Sequence, residues 1–87
     1  MKIKVKAFGS LRDILGKETD FHLPESSKLE NAIQILCEKY EEFQKDFNDE
    51  TLMVLNGKVV LRHRGGIEPI SLKEGDLLSI FPPVSGG

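Results

Sequence analysis

The chain has 87 residues, 12 basic and 14 acidic side chains, and a formal net charge of −2. That length holds one domain with one small core, since a chain this short buries only about 60–65% of its unfolded surface. A weakly acidic, Trp-free composition lacks the basic face that nucleic-acid binding needs, and no apolar run approaches the roughly 18–20 residues that span a bilayer.

Residues Lys2 to Phe8 open with strict alternation, Lys2, Lys4 and Lys6 against Ile3, Val5 and Ala7. Period two predicts a strand with one wet and one buried face. Gly9-Ser10 breaks it, and Leu11, Ile14 and Leu15 before Gly16 predict a short helix closed by a left-handed glycine. Thr19 to Leu23, with Phe21 and Leu23 on one face, predicts a second strand that Pro24 ends.

The main helix follows. Ser27 and Glu30 predict a capping box, and Leu29, Ala32, Ile33, Leu36, Cys37 and Tyr40 form one apolar stripe opposite Glu30, Gln34, Glu38 and Lys39. In the acidic stretch Glu41 to Glu50, Phe43 and Phe47 are spaced as a helical pair, which fits a continued helix or a looser turn. Thr51 to Leu61 predicts a hairpin about Asn56-Gly57, a pair suited to the two positive φ angles of a type I′ turn. Arg62 to Pro69 reads as a polar loop. Ile70 to Leu72 precedes a tight turn, Lys73-Glu74-Gly75-Asp76, and a last strand, Leu77 to Phe81, stopped by Pro82-Pro83.

One long helix and about five strands predict a two-layer α+β unit, the helix covering one sheet face. First and last strands lie parallel if both are central, because most of the chain intervenes. That arrangement is a β-grasp, or ubiquitin-like, roll with a mixed five-stranded sheet over residues 1–81 and a flexible Gly-Gly tail over 82–87. A ferredoxin-like sandwich would want two long helices.

Conventional chemistry finds few candidates. His22 and His63 have no second ligand at metal-binding spacing. Cys37, on the apolar stripe, reads as a buried small hydrophobe, and one cysteine with no signal-peptide stretch at Met1-Lys2-Ile3-Lys4 makes the cytoplasm the expected compartment. Ser26-Ser27 reads as a cap, and Asp13, Asp20 and Asp76 fall at turns. Lys2, Lys4 and Lys6 read as a charged, solubilising face. Arg62-His63-Arg64 is the one dense basic cluster: Arg62 and Arg64 can meet a phosphate or an acidic partner surface, or sit in a solvated loop. Gly65-Gly66, in mid-chain, only bends that loop.

The tail differs. Phe81-Pro82-Pro83-Val84-Ser85-Gly86-Gly87 sets two rigid residues after a strand and two residues without side chains at the end. Six residues reach about 20 Å at roughly 3.3 Å each. Backbone without Cβ atoms can thread a narrow channel. The terminal carboxylate is thereby presented on a stalk, and it becomes an electrophile once a partner enzyme adenylates it with ATP.

Phe8-Gly9-Ser10-Leu11-Arg12-Asp13-Ile14-Leu15-Gly16 resembles the first-loop signature of the MoaD family, the small subunit of molybdopterin synthase, and Leu72 through Gly87 resembles its C-terminal signature. The resemblance covers essentially the whole chain, apart from a longer and more basic Arg62–Pro69 loop. It implies a ubiquitin-like sulfur carrier that binds no cofactor of its own. Gly87 would be adenylated by a MoeB-type enzyme using ATP, converted by a sulfur donor to a thiocarboxylate, and inserted into a MoaE-type large subunit within a heterotetramer. There sulfur passes to cyclic pyranopterin monophosphate, and the remaining catalytic residues belong to the large subunit. The same resemblance implies that Gly86 permits threading and that Phe81, Pro82, Pro83, Val84 and Ser85 contact the partner, with no nucleic acid or membrane involved. A ubiquitin-like modifier joined to lysines, a carrier for thiamin or tRNA thiolation, and a binding module with an inert terminus are the competing readings.

Overall fold

The structure, a computed structural model, describes residues 1–64 and 66–83. Among the described residues seven strands and three helices follow in the order β1 (Lys2–Ala7), α1 (Leu11–Leu15), β2 (Glu18–His22), α2 (Leu29–Lys39), α3 (Glu41–Asp46), β3 (Leu52–Leu55), β4 (Lys58–Val59), β5 (Arg62–His63), β6 (Gly66–Ile67) and β7 (Leu77–Phe81). Five strands form one mixed sheet in the order β2-β1-β7-β3-β4. At its centre β1 and β7 run parallel, with Val5 opposite Leu78 and Ala7 opposite Ile80. The β-grasp expectation holds, with the central pair where the crossover argument put it.

The core lies between one sheet face and the helices. Ile3, Val5, Ala7, Phe21, Met53, Leu55, Leu78 and Ile80 come from the strands; Leu29, Ala32, Ile33 and Leu36 come from α2. The predicted stripe is therefore the buried one, except that Cys37 and Tyr40 are only half-buried at its rim.

The start of α2 corrects the capping box. Helical structure begins at Leu29, and the cap is Lys28, whose amide donates to Asn31 Oδ1 at 2.8 Å. Ser27 instead donates its hydroxyl to Pro24 O at 2.6 Å. The cause is a long-range contact. Lys28 bridges Ser71, the Leu29 amide donates to Ile70 O at 2.9 Å, and Leu72 donates to Ser27 O at 3.0 Å. These bonds hold Lys28 extended (φ −102°, ψ 164°) at the entrance of the helix and shift the cap by one position.

The Phe43–Phe47 stretch resolves into a separate helix. Tyr40 is extended (φ −123°, ψ 101°), so α2 stops there and α3 starts at once, with Glu41 and Glu42 in its first turn beside the positive end of the helix dipole. The break turns Phe43 fully inward, at 0% exposure. Tyr40 packs edge-on against Phe21 at 6.4 Å, with Lys39 Nζ over both rings.

Asn56-Gly57 is the expected turn, with φ +50° and +86°, and Asn56 also does long-range work. Its Nδ2 donates to Asp76 Oδ1 and its Oδ1 accepts from the Leu77 amide, both at 2.9 Å. Asp76, 8% exposed, accepts from the Lys73 amide through Oδ2 at 2.7 Å. Two turns distant in sequence are thus latched together at the start of β7. Asn56→Asp removes the donor and sets carboxylate against carboxylate, and should cost about 1–3 kcal/mol in denaturant unfolding. The reciprocal exchange, Asn56→Asp with Asp76→Asn, keeps a donor and an acceptor in place and should recover most of it. Equal stability of the single and double variants would contradict the latch.

The Arg62–Pro69 segment is not the open loop expected. Arg62 pairs with Ile67 and His63 with Gly66, making a small two-stranded ribbon.

Candidate functional site at the root of the C-terminal segment

β7 delivers the chain to Phe81, Pro82 and Pro83, all half-buried. Val84, Ser85, Gly86 and Gly87 lie outside the described residues, as does Gly65. What the structure places is therefore the root of the segment, and two contacts build it. The Phe8 and Phe81 rings stack with centroids 4.2 Å apart and planes 10° from parallel. The Phe8 amide also donates to Ile80 O at 3.1 Å, which extends the central parallel pairing by one residue.

Gly9 makes the second contact possible. It sits at φ +58°, and a Cβ there would lie 2.8 Å from Pro82 Cγ. No residue with a side chain fits that approach without displacing Pro82, and the positive φ favours glycine independently. Pro82 therefore seats against the turn between β1 and α1, and its ring fixes its own φ there.

Register places the surroundings. Leu52 stands opposite Phe81, and Val54 opposite both Ser79 and Val59. The open sheet face thus divides in two. Leu52, Val54, Val59, Leu77 and Phe81 make an apolar half in which Leu52 and Val59 are 43% and 55% exposed. Lys2, Lys4 and Lys6 with Glu18, Asp20 and His22 make a charged half. There Lys4 Nζ meets Glu18 Oε1 at 2.8 Å. That hydrogen bond, reinforced by the opposite charge, raises the Lys4 ammonium and lowers the Glu18 carboxyl from their ordinary values. Exposed apolar area beside the root is what a docking partner would cover.

Sequence reading found Phe81, Pro82 and Pro83 but missed Phe8, Gly9 and Leu52 as parts of the same site. One signal was present: Phe8 breaks the series Lys2, Lys4, Lys6 by putting a large apolar ring on the wet face of β1.

The basic cluster divides. Arg62 is half-buried and donates to Thr51 O at 2.7 Å and Asn48 O at 3.1 Å, its guanidinium 4.9 Å from the centre of the Phe47 ring. It clamps the segment after α3. Arg64 is exposed. Among the described residues no group of three or more His, Cys, Asp or Glu could hold a metal ion, and no helix is long and apolar enough to cross a membrane.

Cys37 is half-buried, and burial, with Glu38 beside it, pushes its thiol up. Because the thiolate is the nucleophile, iodoacetamide at neutral pH should alkylate Cys37 in the folded chain several-fold more slowly than in the denatured chain. Equal rates, followed by mass spectrometry, would contradict that burial.

Residues 5–87 match the ThiS family. The chain is 25% identical over 95 residues to the molybdopterin synthase sulfur carrier subunit of Anopheles gambiae, covering 100% of this chain and 93% of that one. Among solved structures, it is 29% identical to the small archaeal modifier protein 1 of Methanosarcina acetivorans, with a TM-score of 0.73 and coverage of 99% of this chain and 96% of that one. It is 28% identical to a chain in the complex of subunits 1 and 2 of the molybdopterin-converting factor of Helicobacter pylori, with a TM-score of 0.64 and 100% coverage of both.

Proposed function

We propose, from the premise that this chain belongs to the ThiS family, that it is a sulfur carrier which presents the Gly87 carboxylate to other proteins and serves as the small subunit of a molybdopterin synthase. The observation that carries this reading is the built root: Phe81 stacked on Phe8 and Pro82 seated on Gly9, immediately ahead of Val84-Ser85-Gly86-Gly87. A rigid root fixes where the terminal segment starts, so the root itself has no ordering cost to meet on docking.

In this reading, a Gly87 carboxylate oxygen attacks the α-phosphorus of ATP in an activating enzyme and displaces pyrophosphate. A donor of sulfide-level sulfur then displaces AMP from the acyl carbon, leaving a thiocarboxylate. A large subunit covers the apolar half of the open sheet face and receives the segment in its own active site, where sulfur passes to a pterin precursor. The relative from Anopheles gambiae and the two-subunit complex from Helicobacter pylori support this choice of pathway and partner.

A second reading has its own support in the likeness to the archaeal modifier protein: the same activated carboxylate is joined to lysine amines of other proteins. Intact-mass spectrometry separates the two after incubation with the activating enzyme, ATP and a sulfur source. Replacement of one oxygen by sulfur at Gly87 is the result expected of the carrier. High-mass conjugates carrying isopeptide bonds from Gly87 would favour the modifier, and an unchanged mass would overturn both.

A further inference from the structure

We propose that a small cationic notch beside the root, formed by Lys6, Arg12 and Lys17, takes a carboxylate side chain of the protein that receives the terminal segment. This rests on the carrier reading and names a chemical requirement on its partner.

The notch holds about 120 Å³ and is lined by Lys6, Ala7, Phe8, Arg12 and Lys17. Its three cations come from separate places in the chain: Lys6 from β1, Arg12 from α1, and Lys17 from the turn before β2. Lys17 is tied in through its carbonyl, which accepts from the Ala7 amide at 3.3 Å. Lys6 is half-buried, while Arg12 and Lys17 are exposed.

Charge balance shows what is missing. Glu18, which stands opposite Lys6 across the strand pair and feels both Lys6 and Lys17 electrostatically, makes its ion pair with Lys4 at 2.8 Å. Among the described residues none of Lys6, Arg12 and Lys17 has an ion-pair partner within 4.0 Å. Three like charges around an apolar floor repel one another, and an anion entering between them relieves that repulsion. The space suits one carboxylate with its methylene stem, and the apolar lining of Ala7 and Phe8 suits the stem.

Location links the notch to the root. Phe8 lines it and also stacks on Phe81, so a side chain seated there packs against the ring that holds the start of the terminal segment. The partner would then grip the chain at two adjoining places, the apolar half of the open face through burial and the notch through charge. Charge of this kind adds more to partner choice and association rate than to affinity.

The test uses the full chain with the large subunit and the activating enzyme of the same organism. Affinity is measured at low and high salt for the wild type and for Lys6→Ala, Arg12→Ala, Lys17→Ala and Lys2→Ala, the last being a lysine of the same face at the far end of β1. Each notch variant should lose about fivefold or more at low salt and much less at high salt. Lys2→Ala should change affinity less than twofold. Zero-length carbodiimide crosslinking should join Lys6 or Lys17 to an Asp or Glu of the partner. Equal losses for Lys2 and the notch residues, no loss for any of them, or crosslinks only at other lysines would overturn the notch while leaving the carrier reading intact. A wild-type chain that binds neither partner would overturn both.

Discussion

A chain ending at Gly86 is expected to fold as the full chain does and yet to take up no measurable sulfur. The first half follows from where the core lies. Among the described residues every fully buried apolar residue falls between Ile3 and Ile80, and the latch between Asn56 and Asp76 is also upstream of the root. Removing Gly87, which has no side chain to pack, is expected to leave that interior intact and to change stability by no more than about 0.5 kcal/mol. The second half follows from reach. Pro82 seated on Gly9 sets the starting point, so a missing residue withdraws the carboxylate by roughly 3.3 Å. Reacting atoms must meet at about 3–3.5 Å, and a misplacement of about 1 Å can cost about 100-fold. A loss of at least that size is expected in thiocarboxylate formation, read by intact mass. A residue appended after Gly87 should have the same effect, because it carries the carboxylate past the same point and adds a side chain. Sulfur uptake within tenfold of the full chain by either variant, with folding confirmed by circular dichroism, would contradict the account of the root.

Phe43→Ala should be the most destabilising single substitution argued from this fold. The ring is completely buried, and it points inward only because Tyr40 breaks the helix ahead of it. Truncating a buried Phe typically costs about 3–5 kcal/mol, a large share of the roughly 5–15 kcal/mol that holds a domain together. For a chain of this size each kcal/mol lowers Tm by about 4–8 °C. A fall of at least about 12 °C is therefore expected in thermal unfolding. Phe47→Ala is the matched comparison. That ring is half-buried, 5.4 Å from Phe43 and beneath the Arg62 guanidinium, and its loss should cost clearly less. If Phe47→Ala proved the more damaging, the assignment of Phe43 to the core would be wrong.

Much of the architecture was legible because it is written in short periods. Alternation in Lys2 to Ala7 is enough to make a strand with a single buried face, and β1 has that burial pattern. The stripe from Leu29 to Leu36 needs only the geometry of one helix. Asn56-Gly57 specifies its own turn, since two successive positive φ angles suit few other pairs. The root was half legible: Phe81-Pro82-Pro83 after a strand is a local signal, whereas Phe8 and Gly9 join it only across the parallel pairing of β1 with β7.

The misreadings share one cause. Ser27-x-x-Glu30 satisfies a local rule, yet the Leu29 amide finds Ile70 O and the helix starts later. Arg62 looks free in a basic cluster, yet two carbonyls and an aromatic ring some 11 to 15 residues earlier take it up. Glu41 to Glu50 leaves a continued helix and a looser turn both open, and burying Phe43 decides for a chain that turns at Tyr40. By itself the sequence determined the four longer strands and the main helix and which face each one hides. Only the tertiary structure decided where α2 begins, where α3 separates from it, and which residues meet at the root. Periodicity acts within one element, whereas those outcomes depend on donors, acceptors and rings brought together from distant parts of the chain.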